Sequence, residues 1–364
     1  MKILSGRLDR GYELHKSEYD KKAIEVLESG WYILGNELSS FEEEFASHMG
    51  SKFCIGVGSG LSALELGMRA LGISGGDEVI VPANTYIASV MGITMNGATP
   101  IFVEPNDYYN IDPTEIENAI TERTKAIVVV HLYGQACEMD KIMTIAHKYK
   151  LKVIEDCAQA HDATFGNKKI GTFGDIGCYS FYPTKNLGAF GDAGAITTDD
   201  VKLYEKLKML RNYGSQIKYQ FEEVGENSRL DEMQAGLLRI RLSHLDELTK
   251  ERQEIASYYN SYITNSNIVK PIVKEGATSV WHQYVVRVKD RKKFMDYLEK
   301  NDIHVMIHYP IPPHLSNAYK YLGYKIGDYP VTEELANEIV SLPIYNGMKI
   351  DEYKYVVEVI NGYK

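Results

Sequence analysis

The run Ile127-Val128-Val129-Val130 is continuously apolar and β-branched, the pattern of a strand covered on both faces. Similar short runs lie on either side of it: Phe53–Val57, Glu78–Val81, Thr99–Val103 and Lys152–Ile154, then Cys178–Phe181 and Gly194–Thr197. Several are far enough apart to hold a crossover helix. This alternation predicts an α/β layered domain with a mostly parallel sheet. Ligands of such sheets sit in the loops at the carboxyl ends of the strands.

Outside this block the pattern changes. Ser17 offers a cap for a helix over Glu18–Leu27. Ser39 and Ser40, each followed three residues later by Glu42 and Glu43, offer capping boxes for the next. Phe41, Phe45 and Met49 then form one apolar stripe, and Gly50 suits the stop. A charged helical stretch is expected over Asp231–Tyr262, a strand around Gln283–Val288, a helix over Arg291–Leu298 and a short strand over His304–Ile307. The division expected is a large α/β domain over residues 1–240 and a smaller α+β domain over 241–364.

With 364 residues, 44% hydrophobic and 25% charged, the composition is that of a globular chain. A net charge of −10 disfavours nucleic-acid binding. No uncharged apolar run reaches the ~18 residues of a membrane span, so a cytoplasmic location without membrane contact is the expectation. The four cysteines, Cys54, Cys137, Cys157 and Cys178, contain no Cys-x-x-Cys pair and are read as buried thiols.

Three segments of the α/β region carry chemistry. One is Val153-Ile154-Glu155-Asp156-Cys157-Ala158-Gln159, a strand with an acidic end. Another is Ser180-Phe181-Tyr182-Pro183-Thr184-Lys185-Asn186, and the third is Gly58-Ser59-Gly60 ahead of an apolar helix. Pyridoxal phosphate asks a protein for an amine, a carboxylate at its ring nitrogen and donors for its phosphate. Lys185, Asp156 and the amides around Gly60 supply those groups, the last at a helix start. The residue types alone do not identify the cofactor.

These segments resemble the DegT/StrS family of nucleotide-sugar aminotransferases, along with Pro82-Ala83-Asn84-Thr85-Tyr86, His131-Leu132-Tyr133-Gly134-Gln135, Gly225–Ala235 and His308-Tyr309-Pro310. The resemblance implies the fold type I aminotransferase architecture, with helices on both faces of a mixed central sheet. It implies that Lys185 forms the Schiff base with pyridoxal 5'-phosphate and that Asp156 pairs with the ring nitrogen. Gln159 would lie near the ring hydroxyl and Tyr86 on the ring face. Ser180 and the amides of Gly60 and Leu61 would hold the phosphate, with Asn227 reaching it from the second subunit of a homodimer. Tyr182, Lys218, His308 and Tyr309 would lie near the sugar or its diphosphate. Within the family the motifs look most like enzymes that move an amino group from L-glutamate to C3 of a TDP-3-keto-6-deoxyhexose. A 4-keto sugar is the alternative substrate.

Two other chemistries leave traces. Gly58-Ser59-Gly60-Leu61-Ser62-Ala63 fits the dinucleotide fingerprint of an NAD-dependent oxidoreductase. The acid that should end the next strand is missing, however, because Asp77 and Glu78 precede it. His304 and His308 have a helical metal-ligand spacing but fall in a stretch read as a strand, so no metal is expected.

Overall fold

A computed structural model describes all 364 residues, Met1–Lys364. Seven strands form one sheet: β1 (Phe53–Val57), β2 (Glu78–Pro82), β3 (Thr99–Val103), β4 (Thr124–Val130), β5 (Lys152–Asp156), β6 (Ile176–Ser180) and β7 (Gly194–Thr198). Their order is β1-β7-β6-β5-β4-β2-β3. From β6 to β3 every neighbouring pair is parallel. Only β7 runs the other way, against both β1 and β6. Each apolar run singled out in the sequence supplies one strand, with ends shifted by up to three residues.

The run 127–130 shows why the sheet is covered on both sides. Val128 and Val130 join a core with Ala63 and Leu64 from a helix over Gly60–Ala70. Ile127 and Val129 face the opposite core, with Met139, Ile142 and Ile145 of the helix Met139–Tyr149. Side chains alternate across a strand, so a continuous apolar run needs a cover on each face. Burying each such side chain is worth about 1.5–3 kcal/mol.

A separate core gathers Ile255, Tyr259, Phe294 and Val356 around the antiparallel pair Tyr284–Arg287 and Ile339–Leu342. Ile3 is part of it: its N–H donates to the Asp302 carbonyl (2.8 Å) and its carbonyl accepts from the His304 amide (2.9 Å). Residue 240 lies inside the helix Glu232–Ser243, which packs Ala235, Leu238 and Leu242 against the large-sheet side of the molecule. The four cysteines are buried free thiols. No helix is long and apolar enough to cross a membrane.

The structure departs from the sequence reading at four places. The stretch 231–262 breaks at His244 into Glu232–Ser243 and Leu245–Tyr262. His304–Ile307 is not a strand; only the isolated bridges Ile3↔Ile303 and Met306↔Ser341 form there. The first long helix begins at Lys16, and no side chain caps it. The next begins at Asn36, ahead of the serines. Its free amides at Gly35 (2.8 Å), Glu37 (2.8 Å) and Leu38 (3.1 Å) all donate to the Glu232 carboxylate. A charged acceptor from far along the chain therefore does the work expected of a local serine. Gly50 does end that helix, in the left-handed region at φ 79°.

Candidate active site

A cavity of about 420 Å³ opens at the carboxyl edge of β2, β5 and β6. Because β7 is antiparallel, its first residues reach the same edge. Asp156 ends β5 and Ser180 ends β6. Gly60 and Leu61 begin the helix Gly60–Ala70, and Tyr86 precedes the helix Ile87–Met95. Gln159, Tyr182, Lys185, His308 and Tyr309 complete the set of predicted residues that line this space.

Asp156 is 5% exposed. Its carboxylate accepts from Ser89 Oγ (2.7 Å) and the Ala158 amide (3.1 Å). Burial pushes this carboxyl up, and the bonds from Ser89 and Ala158 and the charge of Lys185 pull it back. Burial pushes the Lys185 ammonium down to about 8, against the pull of Asp156. Burial and the nearby Lys185 charge lower His308 to about 4 and His161 to about 3. The site thus holds a carboxylate fixed by two donors and an amine that releases its proton near neutral pH.

The helix start is open toward the cavity. Ser59 Oγ takes only the Ser62 amide (3.1 Å), and the amides of Gly60 and Leu61 precede the first intrahelical acceptors. A Cβ at Gly60 would stand 2.5 Å from Ser180 Cβ, so only glycine lets β6 and the helix close to this distance. Together these features make a lined anion cradle beside an amine and a buried carboxylate.

Residues 14–361 match the DegT/DnrJ/EryC1/StrS aminotransferase family. The chain belongs to this family. It is 54% identical over 350 residues to dTDP-3-amino-3,6-dideoxy-alpha-D-galactopyranose transaminase of Aneurinibacillus thermoaerophilus, covering 96% of each chain. Its fold is similar to that of S. venezuelae DesV, solved in complex with a ketimine intermediate. There the TM-score is 0.97 and the identity 42%, over 99% of this chain and 98% of that one. NtdA of Bacillus subtilis, solved with bound cofactor PMP, is 32% identical with a TM-score of 0.90, covering 97% and 83%.

Two predicted site residues of this aminotransferase lie away from the cavity of their own chain. Lys218 sits in the turn between Ser215–Ile217 and Gln220–Phe221, with Nζ 5.1 Å from the Tyr219 ring centre. Asn227 is exposed and bridges Asn212, while its neighbour Ser228 accepts from the Gly58 amide (3.1 Å). The aminotransferase site also contains residues that sequence reasoning missed. Ser89 orients Asp156 and is itself bonded to Thr85 Oγ1 (2.8 Å). The Tyr133 amide donates to Gln159 Oε1 (2.8 Å), and its hydroxyl donates to the His308 carbonyl. Gln159 Nε2 in turn donates to Tyr309 Oη (3.0 Å), whose ring centre lies 5.0 Å from that of Tyr86. Gly134 lets the chain after Tyr133 pass close to the backbone of Trp281 and His282: at φ 104°, a Cβ there would stand 2.8 Å from the His282 amide nitrogen. Tyr133 lay inside a motif already noted, but nothing in the sequence marks Ser89.

The dinucleotide reading fails on topology. β1 is at the sheet edge beside antiparallel β7, and β2 lies far across the sheet. A fingerprint loop needs two adjacent parallel strands around its helix. Glu78 is bonded to Thr121 and Arg123 instead of facing a ribose site. Of the two histidines at metal-ligand spacing, His304 faces Glu299 (3.0 Å) and His308 faces Ser341 Oγ (2.8 Å).

Proposed function

We propose that this protein moves an amino group from L-glutamate to C3 of a TDP-3-keto-6-deoxyhexose, with pyridoxal 5'-phosphate held on Lys185. The observation that carries the reading is one cavity holding Lys185, Asp156 and the open helix start at Gly60. The names of the relatives supply the sugar class. The residues fit the cofactor: the open amides at Gly60 and Leu61, brought against Ser180 because residue 60 has no Cβ, suit a phosphate, and the buried Asp156 suits a protonated ring nitrogen. Bound there, the cofactor supplies an electron sink for breaking a C–H bond beside the transferred nitrogen.

The protein's own groups do the rest. Asp156, oriented by Ser89 and the Ala158 amide, holds a proton on the ring nitrogen. Gln159, fixed between Tyr133 and Tyr309, would meet the ring hydroxyl, and Tyr86 would cover a ring face. Ser180 with the Gly60 and Leu61 amides holds the phosphate. With the cofactor bound, Lys185 Nζ, which burial lowers to about 8, would be the base that takes and returns the proton at the substrate carbon. Tyr182, His308 and Tyr309 line the approach for the sugar. We also assign 1–240 to the cofactor domain and 241–364 to the smaller domain; the core around Tyr259 and Phe294 supports a second body, with Leu242 packed across the boundary and Ile3 reaching back over it.

The active unit in this reading is a homodimer that shares its sites. Lys218 and Asn227 flank a segment that leaves Tyr219, Phe221 and Val224 exposed by 79%, 63% and 87%. Such apolar exposure suits a second copy, which a two-fold axis would pair reciprocally. A panel of TDP-keto sugars with glutamate, read by mass spectrometry, tests the reaction. The 3-keto substrate should give the 3-amino sugar and 2-oxoglutarate, whereas reaction only with a 4-keto isomer overturns the position assigned. Mixing inactive Lys185→Ala and Asn227→Asp chains tests the sharing. About half the dimers are mixed with one intact site each, so roughly one quarter of the activity should return. No recovery after verified subunit exchange rejects it.

A further inference from the structure

A second cavity, of about 470 Å³, shares walls with the first through Tyr182, Thr184, His282, Gln283 and His308. Its character is different. The lining contains Arg7, Arg241, Arg252 and two histidines, and no aspartate or glutamate. Arg7 is neutralised by Asp9. Arg252 is spent on Asn346 Oδ1 (3.0 Å) and on the carbonyls of Trp281, His282 and Ile344.

Arg241 is the group left over. It is 8% exposed, and its one hydrogen bond runs from Nε to the Asn186 carbonyl (3.1 Å). Neither terminal nitrogen has an acceptor, and no carboxylate lies within ion-pairing distance. The buried Tyr19 hydroxyl, which has no other partner, lies beside the guanidinium but carries no charge to balance it. A guanidinium this buried is ordinarily paired. The last turn of the helix Glu232–Ser243 favours a cation but offers no bidentate acceptor. At the junction of the two cavities, Gln283 Oε1 is also buried with no donor. Asn186, which anchors Arg241, adjoins Lys185. The free charge therefore borders the cavity that adjoins the one holding the reacting amine, as suits a short molecule with an amine at one end and a carboxylate at the other.

We propose that Arg241 receives the side-chain carboxylate of a dicarboxylic amino donor whose amino end lies at Lys185, and so selects dicarboxylic over neutral amino acids. This rests on the aminotransferase reading of Lys185. A planar guanidinium pairs bidentately with a carboxylate, so the selectivity follows from geometry as well as charge. The cavity roof, residues 5–11, gives an independent handle. A Cβ at Gly11 would lie an ordinary 3.6 Å from Arg241 Nη1, so Gly11→Asp would place the protein's own carboxylate against the guanidinium.

The test is calorimetric binding of glutarate, butyrate and TDP to the cofactor-loaded enzyme, followed by amino transfer from L-glutamate and L-norvaline. Unsubstituted enzyme should bind glutarate at least about tenfold more tightly than butyrate, the size of one good charged contact. Arg241→Gln and Gly11→Asp should each erase that difference and the preference for glutamate while leaving TDP binding unchanged. Arg241→Lys should restore part of it. Unchanged glutarate binding in both variants overturns the proposal. So does an equal fall for glutarate and butyrate, which marks a structural role, and so does a fall for TDP alone, which assigns the cavity to the nucleotide. If the unsubstituted enzyme binds glutarate but takes nitrogen from no amino acid, the aminotransferase reading fails instead, and the proposal falls with it.

Discussion

Two helices meet the sheet with opposite treatment of their first turns. The helix Asn36–Met49 has its leading amides closed off by Glu232, a buried carboxylate from across the chain. The helix Gly60–Ala70 keeps the amides of Gly60 and Leu61 open to a cavity, with Ser59 satisfying only Ser62. Both ends carry the same partial positive charge. One is neutralised inside the protein and stabilises the fold; the other is reserved for an anion that the chain does not supply. Changes around the open end should therefore cost chemistry, and changes at the closed end should cost stability.

The largest effect is expected beside the open end. Lys185→Ala should lower turnover by roughly 10⁴-fold or more, since it removes both the attachment and the proton carrier. Its melting temperature should stay at or above that of the parent protein. Borohydride reduction and peptide mapping of the parent should find the pyridoxyl group on Lys185, and a label elsewhere breaks the assignment. Asp156→Asn should cost about 10²–10³-fold in kcat, the scale of one electrostatic group in a dry site. Near-normal turnover would mean that another group holds the ring nitrogen.

At the closed end, Glu232→Ala leaves three amides without their acceptor and should cost about 1–3 kcal/mol in urea unfolding, with the kcat of the folded enzyme unchanged. A fall in kcat at unchanged stability would erase the distinction between the two helix starts. The last effect is a pH slope. Burial lowers Lys185 from an ordinary 10.5 to about 8, so the folded state gives up this proton before the unfolded chain does. Its penalty is present in full below pH 8 and is relieved as pH rises from about 8 to 10.5. The stability of cofactor-free protein should rise with pH across that window relative to Lys185→Met, and parallel curves would show that Lys185 is not desolvated.

Legibility followed the range of the forces involved. The strands were readable because a sheet covered on both faces needs unbroken apolar runs, and 127–130 states that requirement locally. The helix start at Ser39 was misread because the acceptor that wins there, Glu232, lies nearly two hundred residues downstream. His304–Ile307 has the alternation of a strand but no neighbouring edge beyond single bridges, so its pattern had nothing to pair with. At the site, Lys185, Asp156 and Gly60 stood in motifs. Ser89 did not, because a serine in an apolar helix looks the same whether or not a carboxylate faces it. Arg241 was equally silent, since an arginine in a charged helical stretch reads as solvated until its burial is known.

Ile3 carries a consequence for how the molecule is made. It sits among residues as late as Val356 and Ile360, with its backbone clasped by Asp302 and His304. During synthesis Ile3 has no place to dock until Asp302, His304 and the helix Ile350–Asn361 have been made, so this segment is placed about three hundred residues after it is joined to the chain. Residues 5–11, which run from that late-docking anchor into the helix Leu8–Leu14, can roof the Arg241 cavity only once the anchor has docked. Proteolytic loss of residues 5–11 would unroof this cavity while leaving Lys185 and its partners in position.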